Sequence, residues 1–182
     1  MTKFKETFRV ESTRLKEWDY SNPWWYYVTI NTKNHIHYFG KIVNEEIVLN
    51  EIGIHARKTW EEIPNHFQNI ELDYFVIMPN HIHGIIIINK NSKDVACNVS
   101  TNKYSQISPK GNSLSVIVRS YKSAVAKFAH ENGLMSFSWQ ERFYDRIIRN
   151  EKELYNIRKY IEQNPLKWEL EKDNHENICD GM

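Results

Sequence analysis

Residues 74–88 read Tyr-Phe-Val-Ile-Met-Pro-Asn-His-Ile-His-Gly-Ile-Ile-Ile-Ile. Apolar and β-branched runs flank Met78-Pro79-Asn80, which supplies a turn or break, so the stretch predicts two strands, at 70–78 and 82–89. Side chains alternate along a strand. His81 and His83 therefore point the same way, one pleat apart, and Ile85 and Ile87 continue that face on a rigid element. Two imidazoles side by side on a sheet can clasp a metal ion. A single His-x-His arises by chance in many β proteins, so the pair gains meaning only from what the rest of the chain brings to it.

Working outward, residues 24–32 (Trp-Trp-Tyr-Tyr-Val-Thr-Ile-Asn-Thr) have the aromatic and β-branched content of a strand. Segments 38–42 and 46–49 flank Val43-Asn44-Glu45 and predict a short hairpin. Within 52–63, Ile52, Ala56, Trp60 and Ile63 recur at helical spacing, and Pro64 is expected to end the helix. Residues 90–111 are polar and lack periodicity, which predicts a mobile or functional loop. Helix 113–130 shows a stripe of Leu114, Ile117, Val118, Tyr121, Val125 and Phe128, with Gly133 as its stop. Residues 143–149 read as a last strand. Asn150, with Glu153 three positions on, forms a capping-box start for a final helix running to about Gln163, where Pro165 biases Asn164 out of helical geometry. The tail at 172–182 is expected to fray.

Without the hairpin and the final helix the order is βαββαβ. This is the ferredoxin-like α+β arrangement, an antiparallel sheet with two helices on one face. The 182 residues predict one domain over 1–182, with its core at about 20–170. Hydrophobic residues make up 41% and charged residues 26%, an ordinary soluble mixture. No run of about 18 apolar residues exists, which argues against a membrane span, and the charged N-terminus lacks a signal core. A cytoplasmic, nucleoid-associated location is the expectation. Cys97 and Cys179 lie in polar stretches without metal-ligand spacing, and no structural disulfide is expected.

The net charge of +1 hides an asymmetry: residues 103–167 carry 12 Lys/Arg against 6 Asp/Glu, whereas 41–73 carry 3 against 7. The first of these segments can present a basic face to phosphates, although a solvated charged face has the same composition. Arg119, Lys122, Arg142, Arg146, Arg149 and Arg158 are its candidate phosphate contacts, with Trp139 as a base-stacking candidate or a buried tryptophan.

Tyr160 and Asn164 lie four apart at the end of the last helix and can face one direction. Leu154, Ile157 and Ile161 form that helix's apolar stripe, which leaves Tyr160 on its flank. Asn164 read alone is also a common helix C-cap. Tyr121 falls on the stripe of its own helix, and Tyr144 sits beside Phe143; neither has a carboxamide four residues on. His35 and His37 repeat the Asn-His-Ile-His pattern without the Met-Pro lead-in and read as surface residues.

Three segments together carry a resemblance. Met78-Pro79-Asn80-His81-Ile82-His83 resembles the HUH motif (His, hydrophobic, His) of single-tyrosine transposases. Trp139-Gln140-Glu141-Arg142-Phe143 resembles that family's Trp-Gln-x-Arg segment, and Tyr160-Ile161-Glu162-Gln163-Asn164-Pro165 its Tyr-Ile-x-x-Asn-Pro segment. The nearest group is the REP-associated tyrosine transposases, and the resemblance spans about residues 20–170 in the right order. It implies Mg²⁺ or Mn²⁺ held by His81 and His83, with Asn164 as third ligand or Gln163 in its place. It further implies Tyr160 as a nucleophile that forms a 5′-phosphotyrosine, and a substrate of single-stranded DNA beside a hairpin.

The chemistry is coherent without the name. A divalent ion offsets the charge of a phosphodiester, and a tyrosine can attack in line and keep the bond energy for rejoining. A non-cleaving DNA or RNA hairpin-binding protein on the same fold is the alternative. Monomer and dimer are both compatible with the sequence, as are a tyrosine acting in its own subunit and one acting in a neighbour's.

Overall fold

A computed structural model describes residues 3–4, 7–8, 15, 17–90 and 112–179, with side chains described between Leu15 and Trp168. The expected loop beyond Lys90, Cys97 and the last residues of the tail lie outside the described residues. Two minimal strands, β1 (Lys3–Phe4) and β2 (Thr7–Phe8), pair with each other ahead of the main body.

The centre is a four-stranded antiparallel sheet of β3 (Trp24–Asn31), β6 (Ile70–Ile77), β7 (His81–Ile88) and β8 (Tyr144–Ile147), in the order β6-β7-β3-β8. With helices α1 (Glu51–Glu61) and α3 (Leu114–Glu131) as the crossovers, this is the ferredoxin-like order expected from the sequence. Alternation decides what each face buries. Tyr26, Val28 and Ile30 of β3 and Ile82, Ile86 and Ile88 of β7 meet α1 and α3 in the main core. Their odd-numbered neighbours Tyr27, Ile85 and Ile87 face the other way and form a second cluster with Ile148, Ile161, Leu154 and Ile157. The last three belong to α4 (Glu151–Cys179), which therefore covers the opposite face.

Gly84 sits where β7 passes Trp60, and a Cβ there would come within 2.3 Å of Trp60 Cζ2. The glycine lets a fully buried indole lie flat against the strand that carries both histidines.

Three local expectations are corrected. Pro64 does not simply stop a helix: it lies in the first turn of a short second one, α2 (Ile63–His66), where its missing N–H costs nothing. The last strand is shorter than 143–149: it spans Tyr144–Ile147, and one further bond to β3, from the Ile148 N–H to Trp25 O at 3.0 Å, precedes the start of the final helix. The final helix does not end near Gln163; it runs through Pro165 to Cys179. An interior proline removes one helical hydrogen bond, at a cost of about 3 kcal/mol. Packing on both sides offsets it: Ile161 and Asn164 are buried before it, and the Trp168 ring lies 5.6 Å from that of His81 after it.

The inserted hairpin, β4 (Gly40–Val43) and β5 (Glu46–Leu49), forms as expected around Asn44 and Glu45. Both turn residues have positive φ, 51° and 64°, the mirror-image turn that suits strand twist. The capping box at α4 also forms. Asn150 Oδ1 accepts from the Glu153 N–H, and Glu153 Oε2 reaches back to accept from the N–H of Arg149 rather than that of Asn150.

Candidate active site at the histidine pair

Strand register builds the site. Antiparallel pairing sets Thr29 opposite His83 and Asn31 opposite His81. Alternation then puts Tyr27, Thr29, His81 and His83 on the face covered by α4. Nε2 of His81 and Nε2 of His83 lie 3.0 Å apart. Two bonds of about 2.1 Å meeting near a right angle span such a gap, so the two nitrogens can share a divalent cation.

The outer ring nitrogens decide which lone pairs are available. Asn80 donates through Nδ2 to His35 O at 3.0 Å, which leaves its Oδ1 as the acceptor for the His81 Nδ1–H at 2.6 Å. His81 Nε2 is therefore unprotonated and faces the gap. Around His83 Nδ1 stand the Tyr27 hydroxyl at 2.7 Å and the Thr29 hydroxyl at 2.9 Å, and Thr29 Oγ1 donates to Tyr27 Oη at 3.2 Å. Hydroxyls both donate and accept, so they serve either tautomer of His83.

Burial keeps both rings neutral. Desolvation, with smaller contributions from the charges of His35 and His37, lowers the His81 pKa from 6.5 to about 4. Desolvation and then the neighbouring His81 lower that of His83 to about 3. Burial also raises the Tyr27 hydroxyl well above its ordinary 10, with the Thr29 bond working weakly against the rise, so Tyr27 stays protonated.

Tyr160 approaches from α4. Its Oη lies 3.5 Å from His83 Nε2, and its ring centroid lies 5.2 Å from that of His83. Tyr160 is 40% exposed, so solvent or a ligand reaches the phenol, while His83 is buried and His81 half-buried. Asn164, one turn further along, is 6% exposed, and its carboxamide has no hydrogen-bond partner among the described residues. It is an interior helical residue and not a C-cap. Gln163 is half-buried beside it. Among the described residues no group of three or more His, Cys, Asp or Glu side chains is placed to hold a metal.

The structure separates the other candidates. Tyr121 is buried and donates to Ala56 O at 3.0 Å, a core role. Trp139 donates from Nε1 to Lys122 O at 2.9 Å and packs on Phe39, Phe137 and Tyr121, so it braces the interior instead of offering a stacking face. Lys122 Nζ is spent on Gln140 O at 2.6 Å and Glu141 O at 3.3 Å. Arg158 pairs with Asp73 at 2.7 Å and lies over the rings of Trp25 and Tyr74, tying α4 to β6. Arg146 is held by Glu153. Arg119, Arg142 and Arg149 are exposed.

Several neighbours of the site were not singled out from sequence. Tyr27 and Thr29 are its hydrogen-bonding shell, and only the register of β3 against β7 reveals this. Trp168 lies between the rings of His81 and His37, 5.6 and 5.7 Å from them. The ammonium of Lys167 stands 5.3 Å from the Tyr160 ring centroid. The repeated Asn-His-Ile-His at 34–37 is exposed as expected, yet it borders the site through these contacts.

No family model matches the chain. It is 40% identical over 161 residues to an uncharacterized protein of Haemophilus influenzae, an alignment spanning 87% of this chain and 89% of the relative. It is 28% identical over 121 residues to a second protein of that organism, described as "Putative REP-associated tyrosine transposase", over 65% of this chain and 60% of the relative. Among solved structures, a REP-associated tyrosine transposase bound to a REP hairpin shares the fold, with a TM-score of 0.56 at 20% identity, covering 87% of this chain and 74% of that one.

Proposed function

We propose that the chain is a tyrosine transposase of the REP-associated kind, a reading supported by its 28%-identical relative and by the shared fold, and that it acts as a metal-dependent endonuclease and strand transferase for single-stranded DNA beside a hairpin. The observation that carries this reading is the convergence of Tyr160 Oη, 3.5 Å from His83 Nε2, on a histidine pair whose Nε2 atoms are 3.0 Å apart. A core histidine pair has no need of an exposed phenol at its edge.

His81 and His83 would hold the cation through Nε2, and Asn164 is the buried amide on the tyrosine helix suited to join them. When bound, a divalent ion offsets the charge of the scissile phosphate. The chain's own residues do the rest. Tyr27, Thr29 and Asn80 fix the orientation of the imidazole rings, so only the proton of His83 has to change nitrogen. The stripe of α4 holds Tyr160 at the edge of the pair. Tyr160 Oη forms a bond to phosphorus and releases its proton to water, while the phosphorus–O3′ bond breaks and the departing 3′-oxygen takes up a proton. The 5′-phosphate stays on Tyr160, and a returning 3′-hydroxyl reverses the same steps. Among the described residues no helix is long and apolar enough to cross a membrane.

The test is a labelled single strand carrying a hairpin, incubated with the protein and Mn²⁺ or Mg²⁺, then resolved under denaturing conditions. The expected result is a protein–DNA adduct that disappears with EDTA and with His83→Ala. A protein that retards the oligonucleotide in a native gel but never forms an adduct is a hairpin binder, and the nuclease reading fails.

A further inference from the structure

We propose that a groove along the free edge of β8 is the track for the single strand leading to Tyr160, with Tyr144 as a base-stacking platform and Arg149 and Lys152 as its phosphate contacts. This rests on the reading of the protein as an enzyme of single strands, and it assigns a surface to that partner.

The groove encloses about 840 Å³ between β8 and the first turns of α4. One end is formed by Tyr27 and Tyr160, the two phenols that touch His83. Arg149, Lys152 and Asn156 line it further back along α4, and the carboxylates of Asp145 and Glu153 are also on its wall. The distance suits a short strand: from position 150 to 160 a helix rises about 15 Å, the length of about four stacked nucleotides at roughly 3.4 Å each. β8 borders the space because it pairs with β3 on one side and has no second neighbour among the described residues.

The lining has the chemistry of a sequence-tolerant strand binder, aromatic faces beside cations. Tyr144 is 47% exposed. Its ring meets that of Tyr27 edge-on at 6.4 Å, so a base on Tyr144 continues directly toward the histidine pair. The side chains of Arg149 and Lys152 are exposed and make no close ion pair among the described residues, although the charge of Arg149 helps to hold the Glu153 carboxyl below its usual range. Glu153, on the same wall, is already held by the Arg146 guanidinium and the Arg149 amide, which lessens its repulsion of a phosphate. An apolar peptide would leave these cations unmatched.

The experiment uses the full chain and a fluorescein-labelled single strand with an adjacent hairpin, in EDTA so that binding is read without cleavage. Tyr144→Ala is expected to weaken binding about tenfold, within the range for one lost base stack. The double variant Arg149→Gln/Lys152→Gln is expected to flatten the dependence of log Kd on log salt by about 1.4, some 0.7 for each lost single-strand contact. Lys58→Gln, on α1, is the control and should change neither. Circular dichroism confirms that each variant is folded. Oligonucleotides with 5-iodouracil at successive positions, irradiated on the unaltered protein, should crosslink to Tyr144.

Unchanged affinity and salt slope in both variants, or crosslinks confined to residues outside the groove, overturn the proposal. So does a dimer of the unliganded protein in sedimentation that Tyr144→Arg dissociates, since a second copy would then own the edge. The adduct assay separates the two ideas: adducts with normal groove variants remove the track and keep the nuclease, and groove-dependent binding without adducts does the reverse.

Discussion

The hydroxyl of Tyr27 lies 2.7 Å from Nδ1 of His83, on the side of the ring away from the Nε2 that faces His81. Because Asn80 holds the proton of His81 on Nδ1, His81 Nε2 can only accept. Without a cation, His83 therefore carries its proton on Nε2 and donates it to His81, while the Tyr27 hydroxyl donates to Nδ1. A cation shared by the two Nε2 atoms requires the opposite tautomer, with Nδ1–H donating to Tyr27. Nitrogen NMR of the imidazoles should show His83 protonated on Nε2 before a diamagnetic divalent cation such as Mg²⁺ or Zn²⁺ is added, and on Nδ1 after. The combination Tyr27→Phe/Thr29→Val should weaken Mn²⁺ binding about 10- to 100-fold in calorimetry. Unaltered affinity would mean that the two hydroxyls only fill space.

A second consequence concerns acid. The pair titrates at about 4 and about 3 in the folded chain, against 6.5 when unfolded. As pH falls, the unfolded chain takes up protons first. The contribution of the pair is present in full above pH 6.5 and is lost as pH drops through that value toward 4 and then 3. At about 1.4 kcal/mol per unit, the loss amounts to several kcal/mol. Metal-free protein should show a thermal midpoint that falls steeply from pH 6.5 to 4, and His83→Asn should flatten the slope over that range. Equal slopes would place the acid sensitivity elsewhere.

Lys122 illustrates a basic residue whose charge is used inside the protein. Its ammonium bridges the carbonyls of Gln140 and Glu141, and burial lowers its pKa. Lys122→Met should lower stability by about 1 kcal/mol in urea titration, the scale of a partly exposed charged hydrogen bond. It should leave the salt slope of DNA binding unchanged, because two of the three ammonium N–H groups are directed at the protein's own carbonyls. A flattened slope would return it to the DNA surface.

Gly84 gives a packing test next to the site. An alanine Cβ would lie 2.3 Å from the Trp60 ring, which is fully buried and cannot retreat. Gly84→Ala should destabilise the protein by about 1–3 kcal/mol, the usual cost of overpacking. Chemical denaturation measures it, and a neutral result would show that Trp60 can shift without moving β7.

The fold was largely legible because its signals are periodic. Alternation in 24–32 and 81–88 fixes which side chains share a face, and helical spacing fixes the stripes of α1 and α3. His81 and His83 could be paired on that basis alone. Tyr160 could not; its place depended on a resemblance, since no period tells which sheet face a terminal helix will cover. Tyr27 and Thr29 were hidden for a different reason. Their alternation was visible, but their partner depends on strand register, which the pattern leaves open. Pro165 misled because local preference is a weak term against tertiary packing, here that of Ile161, Asn164 and Trp168. Lys122 and Trp139 were read by composition, which does not distinguish a charge or ring facing a ligand from one facing its own backbone.

The most direct test of the account is the identity of the residue that carries the DNA. After reaction with a hairpin-bearing single strand and Mn²⁺, the protein is digested and the nucleotide-modified peptide is sequenced by mass spectrometry. The account expects the modification on Tyr160 and its loss, with DNA binding retained, in Tyr160→Phe. Cleavage without a covalent peptide, or a nucleotide on Tyr144 or any other residue, would contradict it.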